Sequence, residues 1–242
     1  MSTVYEFPSQ WYRFATAKFR LQARSQMSPR PWIGGKSIYG PHAQIWLAEL
    51  SMTPVTDPDR QQIAAFFSRL DGQAGLLRIA DPSRLRPWYD RSIISPAETT
   101  WTDGTKWSDG TFWSSDFLPP SIYVATAASK GDNYMVLGGL PASLSGALMH
   151  GDLLQINPDG IAGSVPNLYE TSIGGATDAS GKIGVEIRPR LRQNLAVGDQ
   201  VALRFPSSVF RLVDDDQGVF EVTPPVFGDM SFSLVEAMDQ VA

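Results

Sequence analysis

The sequence predicts a mainly β protein: a β-sandwich domain with one packed α-helix, into which a small β-barrel domain is inserted. Three observations predict it. Short apolar runs of strand length recur along the 242 residues, and 21 glycines and 18 prolines are spread among them as turn signals rather than clustered. A single segment has a convincing helical period. The block 121–204 reads as a compact set of short strands, while the strands after it resemble the first part of the chain and need a sheet to join. Hydrophobic residues make up 43% and charged residues 19%, which is enough apolar content to bury a core and is not a disordered composition.

Residues 1–98 supply the first part of the sandwich domain. In "AKFRLQAR", Phe19, Leu21 and Ala23 alternate with Lys18, Arg20, Gln22 and Arg24, the period of a half-buried strand. In "AQIWLAELSM", Ile45, Leu47 and Glu49 share one side and Trp46, Ala48 and Leu50 the other, so both faces read as partly covered. The helix is read over 57–71 in "TDPDRQQIAAFFSRLDG". Thr56 or Asp57 is the N-cap, Pro58 sits where a missing N–H is no loss, and Asp59 lies near the positive end of the dipole. Ile63, Phe66, Phe67 and Leu70 follow i, i+3, i+4, i+7 spacing, and Gly72 is placed to close the helix in a left-handed conformation. Burying that stripe contributes several kcal/mol at roughly 25 cal/mol per Å², so the helix must lie on a sheet. "GLLRIAD" then ends at the turn signal Asp81-Pro82. The order is strand, strand, helix, strand: a short helix on one face of a mainly antiparallel sheet.

A Trp-rich connector, 99–120, leads to the inserted domain. There "SIYVATAAS" and "NYMVLGGL" are joined by the hairpin signal Lys130-Gly131-Asp132. "GDLLQIN" and "GDQVALRF" are similar strand starts, and Gly174-Gly175 and Ser180-Gly181 divide the run between them. Residues 205–242 return to the first domain as two or three strands, turning at Asp215–Gly218 and at Pro224-Pro225.

Charge and composition narrow the chemistry. The net charge is -5 and there are no cysteines, so disulfides, thiolate metal sites and Cys nucleophiles are excluded. Nucleic-acid binding needs a basic patch, and the best local set is Arg188, Arg190 and Arg192 in "EIRPRLRQ". On a strand these share one face, where a solvated surface or pairing with acidic groups is the stronger reading. His42 and His150 lack neighbouring ligands at metal spacing. "GGKS" at 34–37 lacks the upstream glycine of a phosphate loop, and no G-x-S-x-G elbow occurs. Asp214-Asp215-Asp216 reads as a solvated hairpin tip rather than a cation site. No catalytic, cofactor-binding or metal-binding residue is singled out, and no cofactor is expected. The N-terminus has no basic-then-apolar signal pattern, and no apolar run approaches the roughly 20 residues that span a bilayer. The expectation is a soluble product of the cytoplasm with no membrane partner.

The motif that stands out is "WTDGTKWSDGTFW". Trp101, Trp107 and Trp113 fall at equal steps, with Asp103-Gly104-Thr105 echoed by Asp109-Gly110-Thr111. One Asp per unit is too sparse for a calcium loop. Asp-Gly-Thr is first of all a tight turn in which Gly takes the positive φ. An aromatic-stapled connector touching its own domain or a neighbouring subunit is therefore preferred to a sugar-stacking platform. Trp32 and Tyr39 in "SPRPWIGGKSIYG", and Trp88 and Tyr89 in "RLRPWYDR", complete the candidate subunit contacts, because Trp is enriched at interface hot spots.

The order of these features resembles the distal tail protein, a minor tail protein, of long-tailed, siphovirus-like bacteriophages. The resemblance rests on "F-F-x-x-L-x-G" in the helix, the following strand ending in "D-P", the "G-D-x-φ-x-φ" strand at "GDLLQI", the D-x-x-G turn in "TDASG", and the strand ending in "P-x-L-R" at "RPRLRQ". It covers most of the chain, and the Trp-Asp-Gly-Thr segment has no counterpart in the common core. The resemblance implies a non-catalytic structural role at the virion tail tip, with the chain made in the host cytoplasm. Six copies would form a ring, a homohexamer, joining the tail tube to the hub or baseplate. The ring would surround a channel for DNA and the tape-measure protein, with no sequence-specific nucleic-acid binding. The alternatives are a trimeric tail-tip hub subunit, or a carbohydrate-binding β-module that uses Trp101, Trp107 and Trp113.

Overall fold

The structure, a computed structural model, describes residues 3–23, 25–27, 38–39, 44–55, 57–88, 98–99, 113–114, 121–157, 167–218, 221–223 and 227–238. Among the described residues it is mainly β, with one α-helix and two large sheets, one of them curled. Along the chain come β1 (Val4–Glu6), β2 (Thr16–Ala23), β3 (Gln26–Met27), β4 (Ile38–Tyr39) and β5 (Gln44–Val55). Then follow α1 (Asp57–Arg69), β6 (Leu76–Ala80), β7 (Glu98–Thr99) and β8 (Trp113–Ser114). The middle of the chain gives β9 (Tyr123–Thr126), β10 (Tyr134–Gly138), β11 (Leu153–Ile156), β12 (Asn167–Ile173), β13 (Ile183–Arg188) and β14 (Val201–Ala202). Last come β15 (Ser207–Leu212), β16 (Glu221–Thr223) and β17 (Phe227–Glu236).

The first sheet has the order β1-β6-β15-β17-β5-β2, with β16 paired to β17. It is antiparallel except where β1 runs parallel to β6, a strand the sequence reading did not contain. Period-2 alternation decides its faces. Trp46, Ala48, Leu50 and Met52 of β5 point to the core with Phe232 and Leu234 of β17, Phe210 and Leu212 of β15, and Leu77 and Ile79 of β6. Phe19 and Leu21 of the edge strand β2 pack against the margin of that core.

The helix lies on this face through the stripe the sequence marks. Ile63, Phe67 and Leu70 are buried and Phe66 is partly buried. At about 1.5–3 kcal/mol per buried large apolar side chain, those three anchor the helix by several kcal/mol. Around them Phe7, Trp11, Tyr12, Phe14, Phe66, Phe67 and Phe232 form a cluster of mostly edge-to-face rings, the closest being Phe67 and Phe232 at 5.0 Å. Gly218 sits against this cluster with φ of +86°, and a Cβ there would lie 2.6 Å from the Phe67 ring. The helix ends at Arg69, two residues before the end read from the sequence, and the first left-handed residue is Asp71, ahead of Gly72.

The second sheet has the order β14-β11-β12-β13-β10-β9, all antiparallel. Its two edges meet. Tyr123 bridges Gln200, Val124 N–H donates to Asp199 O and Val201 N–H donates to Ile122 O. That closure satisfies backbone groups that open edges would expose. Leu137, Leu154, Ile156, Tyr169, Val185 and Ile187 fill the inside. Leu153 and Leu168 point outward and join the core of the first sheet. Both faces of β11 are thus covered, which is why all four of its residues are buried. The chain enters this sheet after β8 and leaves it before β15, so the first sheet is built from strands of 4–80 and 207–236.

Candidate functional site

The candidate contact residues fall in three places. Trp88 is 53% exposed, and its backbone N–H donates to both carboxylate oxygens of Asp152, at 3.1 and 3.2 Å. Tyr39 and Trp113 lie on short ribbons: Tyr39 pairs with Gln26 across β3–β4, and Trp113 pairs with Thr99 across β7–β8. Trp32, Tyr89, Trp101 and Trp107 lie outside the described residues, as does His42. Of the candidates, then, the structure assigns a side-chain environment to Trp88 alone.

What the fold does bring together is a polar joint between the two sheets. The Arg192 guanidinium forks onto Glu236, with Nη1 to Oε1 and Nη2 to Oε2 both at 2.7 Å. The side chains are only 8% and 1% exposed. The Glu236 carboxylate also accepts from Trp46 N–H at 3.0 Å and from the Ser208 hydroxyl at 2.8 Å. Arg192 Nη2 donates to Gln44 O, and its own N–H donates to the Tyr169 hydroxyl at 3.2 Å. Burial pushes the Tyr169 hydroxyl above its ordinary pKa, against the opposing effects of that N–H and the Arg192 charge. Four donors on one carboxylate meet the demand of a buried charge, which is otherwise severely penalised.

The joint continues along the seam. Trp46 is buried between the sheets, and its Nε1–H donates to Leu168 O at 3.1 Å. Arg84 lies over the Trp46 ring, 5.7 Å from its centroid. Its Nε donates to the buried Asp81 at 2.7 Å, and its Nη1 reaches Glu170 of the second sheet at 3.4 Å. Asp152 accepts Met149 N–H at 2.8 Å beside the Trp88 bond, and the Gln155 side-chain oxygen accepts Ser207 N–H at 2.9 Å.

One sequence reading changes here. Arg188, Arg190 and Arg192 do not share a strand face, because β13 ends at Arg188 and the chain turns at Pro189. Arg188 pairs with Glu186 at 2.9 Å, Arg190 donates to Gly131 O and Arg192 enters the joint. Asp215 in the acidic tip accepts the Gln73 N–H at 2.8 Å, tying the tip to the turn after α1. Among the described residues no group of three or more His, Cys, Asp or Glu is placed to hold a metal. His150 is exposed and meets the Ser172 carbonyl oxygen. No described helix is long and apolar enough to cross a membrane.

No family model matches the chain, and no curated protein matches it.

Proposed function

We propose that this chain is a structural subunit of a phage tail tip, a distal-tail-type protein whose copies form a ring between the tail tube and the hub. One observation supports the reading above the others. Three of the five motifs that carry the resemblance converge on the joint. Asp81 of the "D-P" strand end holds Arg84, Asp152 of the "G-D" strand start holds Trp88, and Arg192 closing "P-R-L-R" holds Glu236. These motifs therefore have a common physical task, fixing the middle β-domain rigidly on the helix-bearing sheet. A ring subunit needs that rigidity, because each copy must present its domains at the same angle for the ring to close.

The reading is tested by mixing purified chain with purified tail tubes and imaging the tube ends by electron microscopy. The expected result is a six-fold ring capping the tube. A chain that stays monomeric at high concentration and never appears at tube ends rejects the reading, and a three-fold cap replaces it with the hub alternative.

A further inference from the structure

The closed second sheet carries two tyrosines bedded on glycines on its outer side. Val124, Leu137 and Val185 point inward. Alternation therefore puts Tyr123 of β9, Tyr134, Val136 and Gly138 of β10, and Gly184 and Glu186 of β13 on the outer face. The Tyr134 phenol leans across to β13, where a Cβ on Gly184 would collide with its oxygen. Tyr123 covers Gly138, with Cζ, Cε2 and the hydroxyl oxygen 3.0, 3.1 and 3.2 Å from where a Cβ would stand. Three neighbouring ring atoms at nearly one distance put that ring face-on to the strand. Glycine inside a strand weakens it, and it serves where something must approach the backbone closely. On this face a tyrosine makes that approach twice.

Tyr134 stays 56% exposed, and Gly184 beneath it is exposed as well, so the phenol neither fills a core nor seals the strand. Glu186 stands directly across from Tyr134 in the register. Its Oε1 accepts from Asn133 Nδ2 at 3.2 Å and from Arg188 Nη2 at 2.9 Å. Both donors use Oε1, so among the described residues Oε2 is open to a donor from outside. The face is thus an aromatic slab rimmed by a carboxylate, an amide and a guanidinium. A protein partner would call for a wider apolar centre. A pyranose ring has the matching form: an apolar C–H face and an edge of hydroxyls that both donate and accept. Tyr123 pairs with Gly138, about 13 Å along β10 from Tyr134, so the face suits a short oligosaccharide rather than a single sugar.

We propose that the outer face of β9, β10 and β13 binds a neutral, hexose-containing glycan. One pyranose stacks on Tyr134, with Glu186, Asn133 and Arg188 taking its hydroxyls, and a further unit reaches Tyr123. The site uses none of Trp101, Trp107 and Trp113, and it stands whether or not the chain closes into a ring.

Isothermal titration of the full chain with gluco-, galacto-, manno- and N-acetylhexosamine oligosaccharides tests it. At least one is expected to bind, and to bind more tightly than its monosaccharide. Tyr134→Ala is expected to weaken binding about tenfold, while Tyr134→Phe, which keeps the slab, stays close to wild type. Glu186→Gln is expected to weaken binding with an unchanged urea midpoint, and it reads the same site should Tyr134→Ala lower stability. Trp107→Ala is expected to bind as wild type does. No binding by any of these sugars at about 1 mM overturns the inference, as does wild-type affinity in both Tyr134→Ala and Glu186→Gln. Binding lost in Trp107→Ala but kept in Tyr134→Ala moves the sugar to the connector and overturns it too. Tail-tube capping lost in Tyr134→Ala, with no sugar bound by wild type, replaces the glycan site with a subunit contact. The ring reading is judged by tube capping alone, so its failure is distinct from this one.

Discussion

Replacing Glu236 by Gln preserves volume and one acceptor but strips the charge from the joint. The Arg192 guanidinium is then left with the Gln44 carbonyl and a neutral amide, at a site only 8% exposed. Removing one partner of a buried pair destabilises by about 3–5 kcal/mol, because the survivor is left buried and uncompensated. Arg192→Met should have a similar effect. Glu236 would keep the Trp46 N–H and the Ser208 hydroxyl but lose both guanidinium bonds. The double variant Arg192→Met/Glu236→Leu removes both charges together. It leaves the Trp46 N–H without its carboxylate acceptor, at about 1–3 kcal/mol, and takes one donor from the Gln44 carbonyl and one acceptor from the Ser208 hydroxyl. It should therefore be about as stable as either single variant, rather than destabilised by their sum of roughly 6–10 kcal/mol. Urea unfolding followed by tryptophan fluorescence and circular dichroism measures all four proteins. Single variants within about 1 kcal/mol of wild type, or a double variant that equals the sum within about 0.5 kcal/mol, would refute the joint.

Trp46→Ala empties the seam and removes the Leu168 hydrogen bond, so a loss of about 3–5 kcal/mol is expected in the same assay. Gly218→Val should destabilise more than Gly151→Val. Both glycines have positive φ, but only the Gly218 Cβ meets a ring, while nothing lies within 4 Å of Gly151. Burial raises the Tyr169 and Tyr12 hydroxyls above 10.0, so the stability they contribute is complete below pH 10.0 and is lost as pH rises through the folded-state values. A Tyr169→Phe variant should show a shallower alkaline unfolding slope. The Asp178 carboxylate is held below 3.8, first by the Lys182 N–H and then by Ser180, so its contribution is present above pH 3.8 and fades as pH falls through the folded value. Asp178→Asn should flatten that acid limb.

Much of the fold was legible because local periodicity and tertiary burial agree. The α1 stripe, the β5 alternation and the Gly131 hairpin are cases where pattern alone placed the residues. β1 escaped notice because three residues carry no period, and its place is set by pairing with β6, which lies far along the chain. The joint was half legible. In "SFSLVE", Glu236 has the same parity as Phe232 and Leu234, which puts a carboxylate on a core face and demands a cationic partner. That the partner is Arg192, 44 residues away, follows from how the second sheet docks, which no local pattern encodes. Asp81 likewise read as a turn residue, and its burial against Arg84 appears only once β6 lies beneath the second sheet. The exposed aromatics were chosen by composition, and for Trp88 the backbone tie to Asp152 explains a fixed position that sequence had no means to show.

In the ring we propose, a two-sheet subunit closes on its neighbours at the tail tip. The most direct measurement is the rotational symmetry and subunit count of the assembly formed on purified tail tubes, taken from electron-microscopy class averages. A closed six-fold ring, with each copy showing its two β-domains at one fixed angle, is the predicted result. Tube ends that stay bare, or copies whose second domain takes many angles, would contradict it.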